Sequence, residues 1–122
     1  MPPLLQVAIG GAAGASLRYL VVEMAVRRLG PDFPWGTVMV NLLGSFVMGL
    51  LAVTLTPREG VAPLLMAGLL GGFTTYSAFS LDTFALLERG EYAWAAGYVA
   101  LTLAGAIGGC IAGVALARGI FA

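Results

Sequence analysis

The chain has 122 residues; 60% are hydrophobic and 10% charged, and the mean hydropathy is +0.97. Soluble domains carry about 25% charged residues, so this sequence lacks the polar skin of an ordinary soluble enzyme or a disordered chain. Six Arg balance six acids with no Lys and no His, so the basic excess of a nucleic-acid binder is absent too. The class is an all-α integral membrane protein. The single Cys, Cys110, excludes an intrachain disulfide and a Cys-rich metal site.

Charges punctuate the chain, leaving uncharged runs at Met1–Leu17, Phe33–Pro57, Gly60–Leu81 and Tyr92–Ala117. A spanning helix needs about 20 mostly apolar residues. The second and fourth runs meet that outright, and the first reaches it by continuing past Arg18. The expected organisation is one transmembrane domain over 1–122, with helices at about 4–28, 36–55, 62–88 and 93–118. Short connections carry turn chemistry: Gly30-Pro31-Asp32-Phe33-Pro34, Thr56-Pro57-Arg58-Glu59-Gly60 and Arg89-Gly90-Glu91. No loop is long enough to form a soluble domain, so function is expected within the membrane. Ala13-Gly14-Ala15 resembles a signal cleavage site, but no basic residue precedes the apolar stretch, which favours a first spanning helix.

Four spans put both termini on one side. Arg58 and Arg118 fall on that side, against Arg27, Arg28 and Arg89 on the other. A bias this small permits insertion in both orientations and pairing of opposed copies. A single orientation fixed weakly by Arg27 and Arg28 is equally compatible with the arithmetic. Gly10/Gly14, Gly68/Gly72, Gly105/Gly109 and Gly109/Gly113 are small-xxx-small pairs. They let helices approach closely and predict a compact bundle rather than any particular activity. Cys110, among Gly and Ala, reads as a small packing residue.

Thr37, Asn41 and Ser45 recur every four residues in the second helix and form a polar stripe. Such a stripe in lipid faces protein or a water-filled path. An interhelical hydrogen bond from Asn41 is the structural alternative, and both readings stay open. In the third span, Gly71-Gly72-Phe73-Thr74-Thr75 is a poor helix interior. A break there would free carbonyls to hold a cation and would present N–H donors from the next half-helix. A distorted but continuous helix is the alternative. Tyr76 and Phe79 are three apart, with Ser80 and Thr83 on or beside the same face. Their positive ring edges, interleaved with hydroxyls, suit an anion, although in isolation an aromatic packing pair is the simpler reading. Arg18, Glu23, Asp82 and Glu88 are charges within the spans. Arg18 suits either an anion vestibule or a structural ion pair.

Three strings together resemble the CrcB/Fluc fluoride channel family: Gly10-Gly11-xx-Gly14-Ala15-xx-Arg18-Tyr19, Gly36-Thr37-xxx-Asn41-xx-Gly44-Ser45-Phe46 and Gly71-Gly72-Phe73-Thr74-Thr75-Tyr76-Ser77-Ala78-Phe79-Ser80. The resemblance covers the first three helices, the length and the four-span plan; the fourth helix matches mainly in composition. It implies a passive, fluoride-selective channel, not an enzyme, that exports fluoride from the cytoplasm across a prokaryotic inner membrane and protects against its toxicity. It further implies an antiparallel, dual-topology homodimer in lipid, with a structural Na+ at its centre held by the backbone carbonyls of Gly71 and Thr74. The family's two pore phenylalanines fall on Tyr76 and Phe79, the pore Asn on Asn41, the Arg on Arg18 and the vestibule acid on Glu88. The polar track falls on Ser77 and Thr83, with Tyr98 and Thr102 as its extension on the fourth helix. Tyr76 departs from the usual Phe, and Ala78 from a frequent Thr. A small multidrug exporter is the main alternative, but it needs a membrane-embedded acid, and Glu23 lies near a helix end. A non-transporting scaffold and a membrane enzyme are weaker, the latter because no His, Cys or acid pair offers a constellation.

Overall fold

A computed structural model describes residues 1–56 and 59–121. Arg58, counted above in the topology arithmetic, lies outside them. Four helices are long and apolar enough to cross a membrane: Pro3–Leu29, Trp35–Thr54, Pro63–Glu88 and Tyr92–Ile120. We label Pro3–Leu29 α1 and Trp35–Thr54 α2. The third span is composite: a π-helical segment Pro63–Leu70, α3 (Gly71–Phe73), an opening at Thr74–Tyr76, and α4 (Ser77–Glu88). The fourth is α5 (Tyr92–Phe121). The described residues contain no strand.

Glycine closes the connections. Gly30, Gly60 and Gly90 have φ of 86°, 56° and 74°. That left-handed conformation costs glycine little and other residues more. Gly30 N–H donates to Val26 O at 2.9 Å, and Gly90 N–H to Leu87 O at 3.0 Å, each ending the helix before it.

The small-xxx-small pairs act within the chain. A Cβ on Gly10 would meet Leu69 N at 2.7 Å, and one on Gly14 would meet Phe73 N at 2.9 Å. Gly68 and Gly72 answer from the other side, lying against Gly10 Cα and Gly11 O at 3.0 and 2.7 Å from their would-be Cβ positions. Backbone therefore lies against backbone where α1 meets the π segment and α3. Gly49 and Gly113 do the same between α2 and α5, facing Val114 N and Leu50 N at 3.0 Å each. Cys110 belongs to this seam, with its carbonyl against Gly49.

The third span opens where the Gly71–Thr75 stretch suggested, at its threonine end after Phe73, and differs from expectation in that its first half is π-helical. Gly71 N–H still donates to Met66 O and Gly68 O, and Thr74 N–H to Leu70 O. Thr74 then turns extended, at φ −87° and ψ 160°, a conformation that suits a β-branched residue. The glycines serve the approach of α1, and the threonines carry the opening.

Val38, Phe79, Leu86, Ala95 and Tyr98 form the buried apolar cluster, covered by Phe33, Leu42 and Val99. It joins α2, α4 and α5 and fixes Phe79 and Tyr98. Large apolar side chains elsewhere, such as Leu4, Phe84, Ile107 and Ile111, are exposed on the protomer. In a membrane protein these faces meet lipid or another copy.

Candidate functional site

The opening in the third span redirects a run of backbone groups. Thr75 N–H would normally bond Gly71 O; instead it donates to Asn41 Oδ1 at 2.8 Å. Ala78 N–H would normally bond Thr74 O; instead it donates to Thr75 Oγ1 at 3.1 Å. Gly71 and Thr74 carbonyls are thereby released from their helical donors. Two neighbouring carbonyls find side chains: Arg18 Nε donates to Gly72 O at 3.1 Å, and Asn41 Nδ2 to Thr75 O at 3.0 Å.

An open cavity of about 420 Å³ lies against this region. Its polar wall holds Asn41, Ser45, Gly71, Thr74, Thr75 and Thr102. Tyr76, Phe79, Leu103, Ala106 and Ile107 complete it. Asn41 is buried, and both ends of its amide engage Thr75. This double bond fixes the amide orientation and leaves one N–H unused. Thr102 is 4% exposed, and its hydroxyl is the one buried side-chain polar atom among the described residues without a partner. Tyr76 and Phe79 sit together with ring centroids 5.6 Å apart, tilted by 32°. Phe79 is 7% exposed and backed by Tyr98 at 5.3 Å; Tyr76 is 74% exposed. Among the described residues, no arginine lines the cavity. It thus offers donors and ring edges without a full positive charge.

The remaining sequence candidates lie outside this cavity. Thr37 departs from the stripe: its hydroxyl donates to Asp82 Oδ2 at 2.7 Å. Tyr98, fully buried, donates to the same oxygen at 3.0 Å. Ser80 and Thr83 hydroxyls return to backbone, to Tyr76 O at 3.1 Å and Phe79 O at 2.8 Å. Ser77 is exposed beside Thr75, and Glu88 is exposed at the end of α4. Arg18 has no acid within ion-pair distance among the described residues. Asp82 is the group that sequence reasoning left unassigned. Thr37 precedes it by 45 residues and Tyr98 follows it by 16, so no local spacing exposes the trio.

The family model described as "CrcB-like protein, Camphor Resistance (CrcB)" matches residues 5–114. The chain belongs to the CrcB family. Its relatives include a protein of Cereibacter sphaeroides, 54% identical over 117 residues, covering 95% of this chain and 94% of the relative. A Paracoccus denitrificans relative is 52% identical over 120 residues, covering 97% and 96%. One from Allorhizobium ampelinum is 46% identical over 125 residues, covering 99% and 100%. All three carry the name fluoride-specific ion channel FluC. The CrcB match spans the three sequence strings and most of α5, and with the four apolar helices it makes this a multi-pass membrane protein.

Proposed function

We propose that this chain is a passive, fluoride-selective ion channel that lets fluoride leave the cytoplasm and so limits its toxicity. The observation that carries this reading is the cavity itself: hydrogen-bond donors and aromatic edges around an intramembrane space that, among the described residues, has no charged side chain in its lining. Fluoride is small and holds its water tightly, so a pathway must replace that hydration. The spare Asn41 N–H, the Ser45 and Thr102 hydroxyls and the edges of Tyr76 and Phe79 supply replacements. A dedicated positive charge would bind fluoride too tightly for release. Thr37, Ser77, Ser80, Thr83 and Tyr98 flank this path, and Arg18 and Glu88 are assigned to its approaches.

The functional unit in this reading is an antiparallel, dual-topology homodimer in the prokaryotic inner membrane. The near-even Arg count, the open side of the cavity and the exposure of Tyr76 beside it support a second copy there. A structural Na+ fits the released carbonyls of Gly71 and Thr74, since hard cations take oxygen ligands. Among the described residues no group of three or more His, Cys, Asp or Glu is placed to hold a metal, so carbonyls are the available donors. When bound, the ion would offset the mutual repulsion of carbonyl dipoles gathered at the opening.

The test is fluoride efflux from proteoliposomes, followed with an ion-selective electrode and with chloride measured in parallel. Fluoride should leave down its gradient without ATP while chloride stays. Equal rates for the two anions, or an absolute need for ATP, would overturn the reading.

A further inference from the structure

The structure assigns Arg18 to a positioning role at the opening of the third span: we propose that its Nε–H holds the Gly72 carbonyl so that the preceding Gly71 carbonyl stays turned towards the cation site. This inference rests on the sodium reading above.

The argument starts from the two carbonyls held by side chains. Arg18 takes Gly72 O and Asn41 takes Thr75 O. The two released carbonyls belong to Gly71 and Thr74, both of which line the cavity. Each held carbonyl therefore follows a released one by one residue. The Gly71 and Gly72 carbonyls belong to successive peptide planes joined at the Gly72 Cα. Glycine restrains that joint least of all residues. Nothing larger serves there, because a Cβ on Gly72 would meet Gly11 O at 2.7 Å and Gly11 Cα at 3.1 Å. Packing thus demands at this joint the residue that restrains it least. The helical turn Gly71–Phe73 is three residues long, and Arg18 adds an external hold on it from α1, across 54 residues of sequence. At Thr75 the joint is stiffer, since Thr75 itself is β-branched, and Asn41 grips both its N–H and its carbonyl.

Arg18 donates through Nε, the nitrogen on its Cδ, rather than through the fork. This choice of atom allows a clean dissection. Glutamine carries Nε2 at the same position along the chain, so Arg18→Gln keeps a donor and loses the charge. Methionine fills the same length with no donor. The measurement is thermal stability of purified protein as Na+ is titrated against N-methylglucamine, which reads cation affinity independently of flux. Arg18→Met should raise the Na+ concentration at half effect by about tenfold, the size expected for one lost hydrogen bond to a charged group. Arg18→Gln should stay within about threefold of wild type, since a neutral bond remains. Equal shifts in both variants would make charge the cause, and unchanged midpoints in both would make Arg18 irrelevant to the cation; either result overturns the proposal. If Arg18→Met does not fold, Arg18→Leu replaces it as the donor-free variant: a tenfold rise there with Arg18→Gln near wild type supports the clamp, and unshifted midpoints in both refute it. A wild type whose stability ignores Na+ would remove the sodium reading and the clamp with it. A Na+-responsive wild type with unshifted variants removes only the clamp.

Discussion

Phe79 has two neighbours that pull its interpretation in different directions. Tyr98 packs on it from the core side at 5.3 Å, and Tyr76 from the cavity side at 5.6 Å. A purely structural ring would tolerate a branched aliphatic replacement, since apolar swaps of similar volume usually cost less than about 1.5 kcal/mol. A conducting ring would not, because isoleucine has no positive edge. Phe79→Ile should therefore cut fluoride flux steeply while the protein remains folded by size-exclusion elution. Tyr76→Phe keeps the edge and should be mild in the same assay. Normal flux in folded Phe79→Ile would show that the ring only packs. Asn41 was legible from its place in the sequence, but its attachment to Thr75 was not. Nothing in the spacing says that its amide meets the one segment whose backbone has lost its ladder. Thr37 looked like its companion at four-residue spacing, yet its hydroxyl goes to Asp82. A carboxylate within a spanning segment requires donors, and Thr37 and Tyr98 supply them.

At the level of helices, charge spacing and turn residues foretold all four spans. Their ends lie where Arg, Gly and Pro interrupt the apolar runs, and the bilayer thickness fixes the length between them. The π-helical first half of the third span left no such mark. Pro63-Leu64-Leu65-Met66-Ala67 is compatible with an ordinary helix, and only packing distinguishes the two. Gln6 contributes: its Oε1 accepts Leu64 N–H at 3.2 Å from α1, satisfying a donor at the start of that segment. The break expected over Gly71–Thr75 falls at the threonine end, and the glycine pair could not fix its place within that stretch for a related reason. Close approach and helix breaking both select glycine, and sequence alone does not separate them. Gly10→Ala tests the packing role. Its Cβ would press on the backbone at Leu69 N and Gly68 Cα, which have no rotamer to yield. The cost should be about 1–3 kcal/mol in thermal or denaturant unfolding, the usual scale of overpacking. Gly119→Ala, with nothing within 4 Å, should be neutral or slightly stabilising. Equal effects at the two positions would contradict the backbone-to-backbone seam.

For the whole molecule, the apolar exterior and the one-sided cavity mean that a protomer alone does not enclose a path. Tyr76 stands largely exposed next to the cavity, and Ile107 at its rim is 62% exposed. An opposed copy would cover both. Asp32→Cys, in the connection between α1 and α2, provides the orientation test in a Cys110→Ala background. An impermeant thiol reagent should label one fraction of molecules from outside and the remainder only after the membrane is opened. Complete labelling from one side would contradict dual topology, although not fluoride conduction. Conduction is the central claim, and the reversal potential in a planar bilayer tests it most directly. With a tenfold fluoride gradient and symmetric chloride and pH, current should reverse near the fluoride equilibrium potential, about 59 mV in magnitude for a monovalent ion. Imposing a chloride or proton gradient in its place should leave the reversal at zero. A potential that follows chloride, or one that appears only with a proton gradient, would contradict a passive fluoride-selective channel.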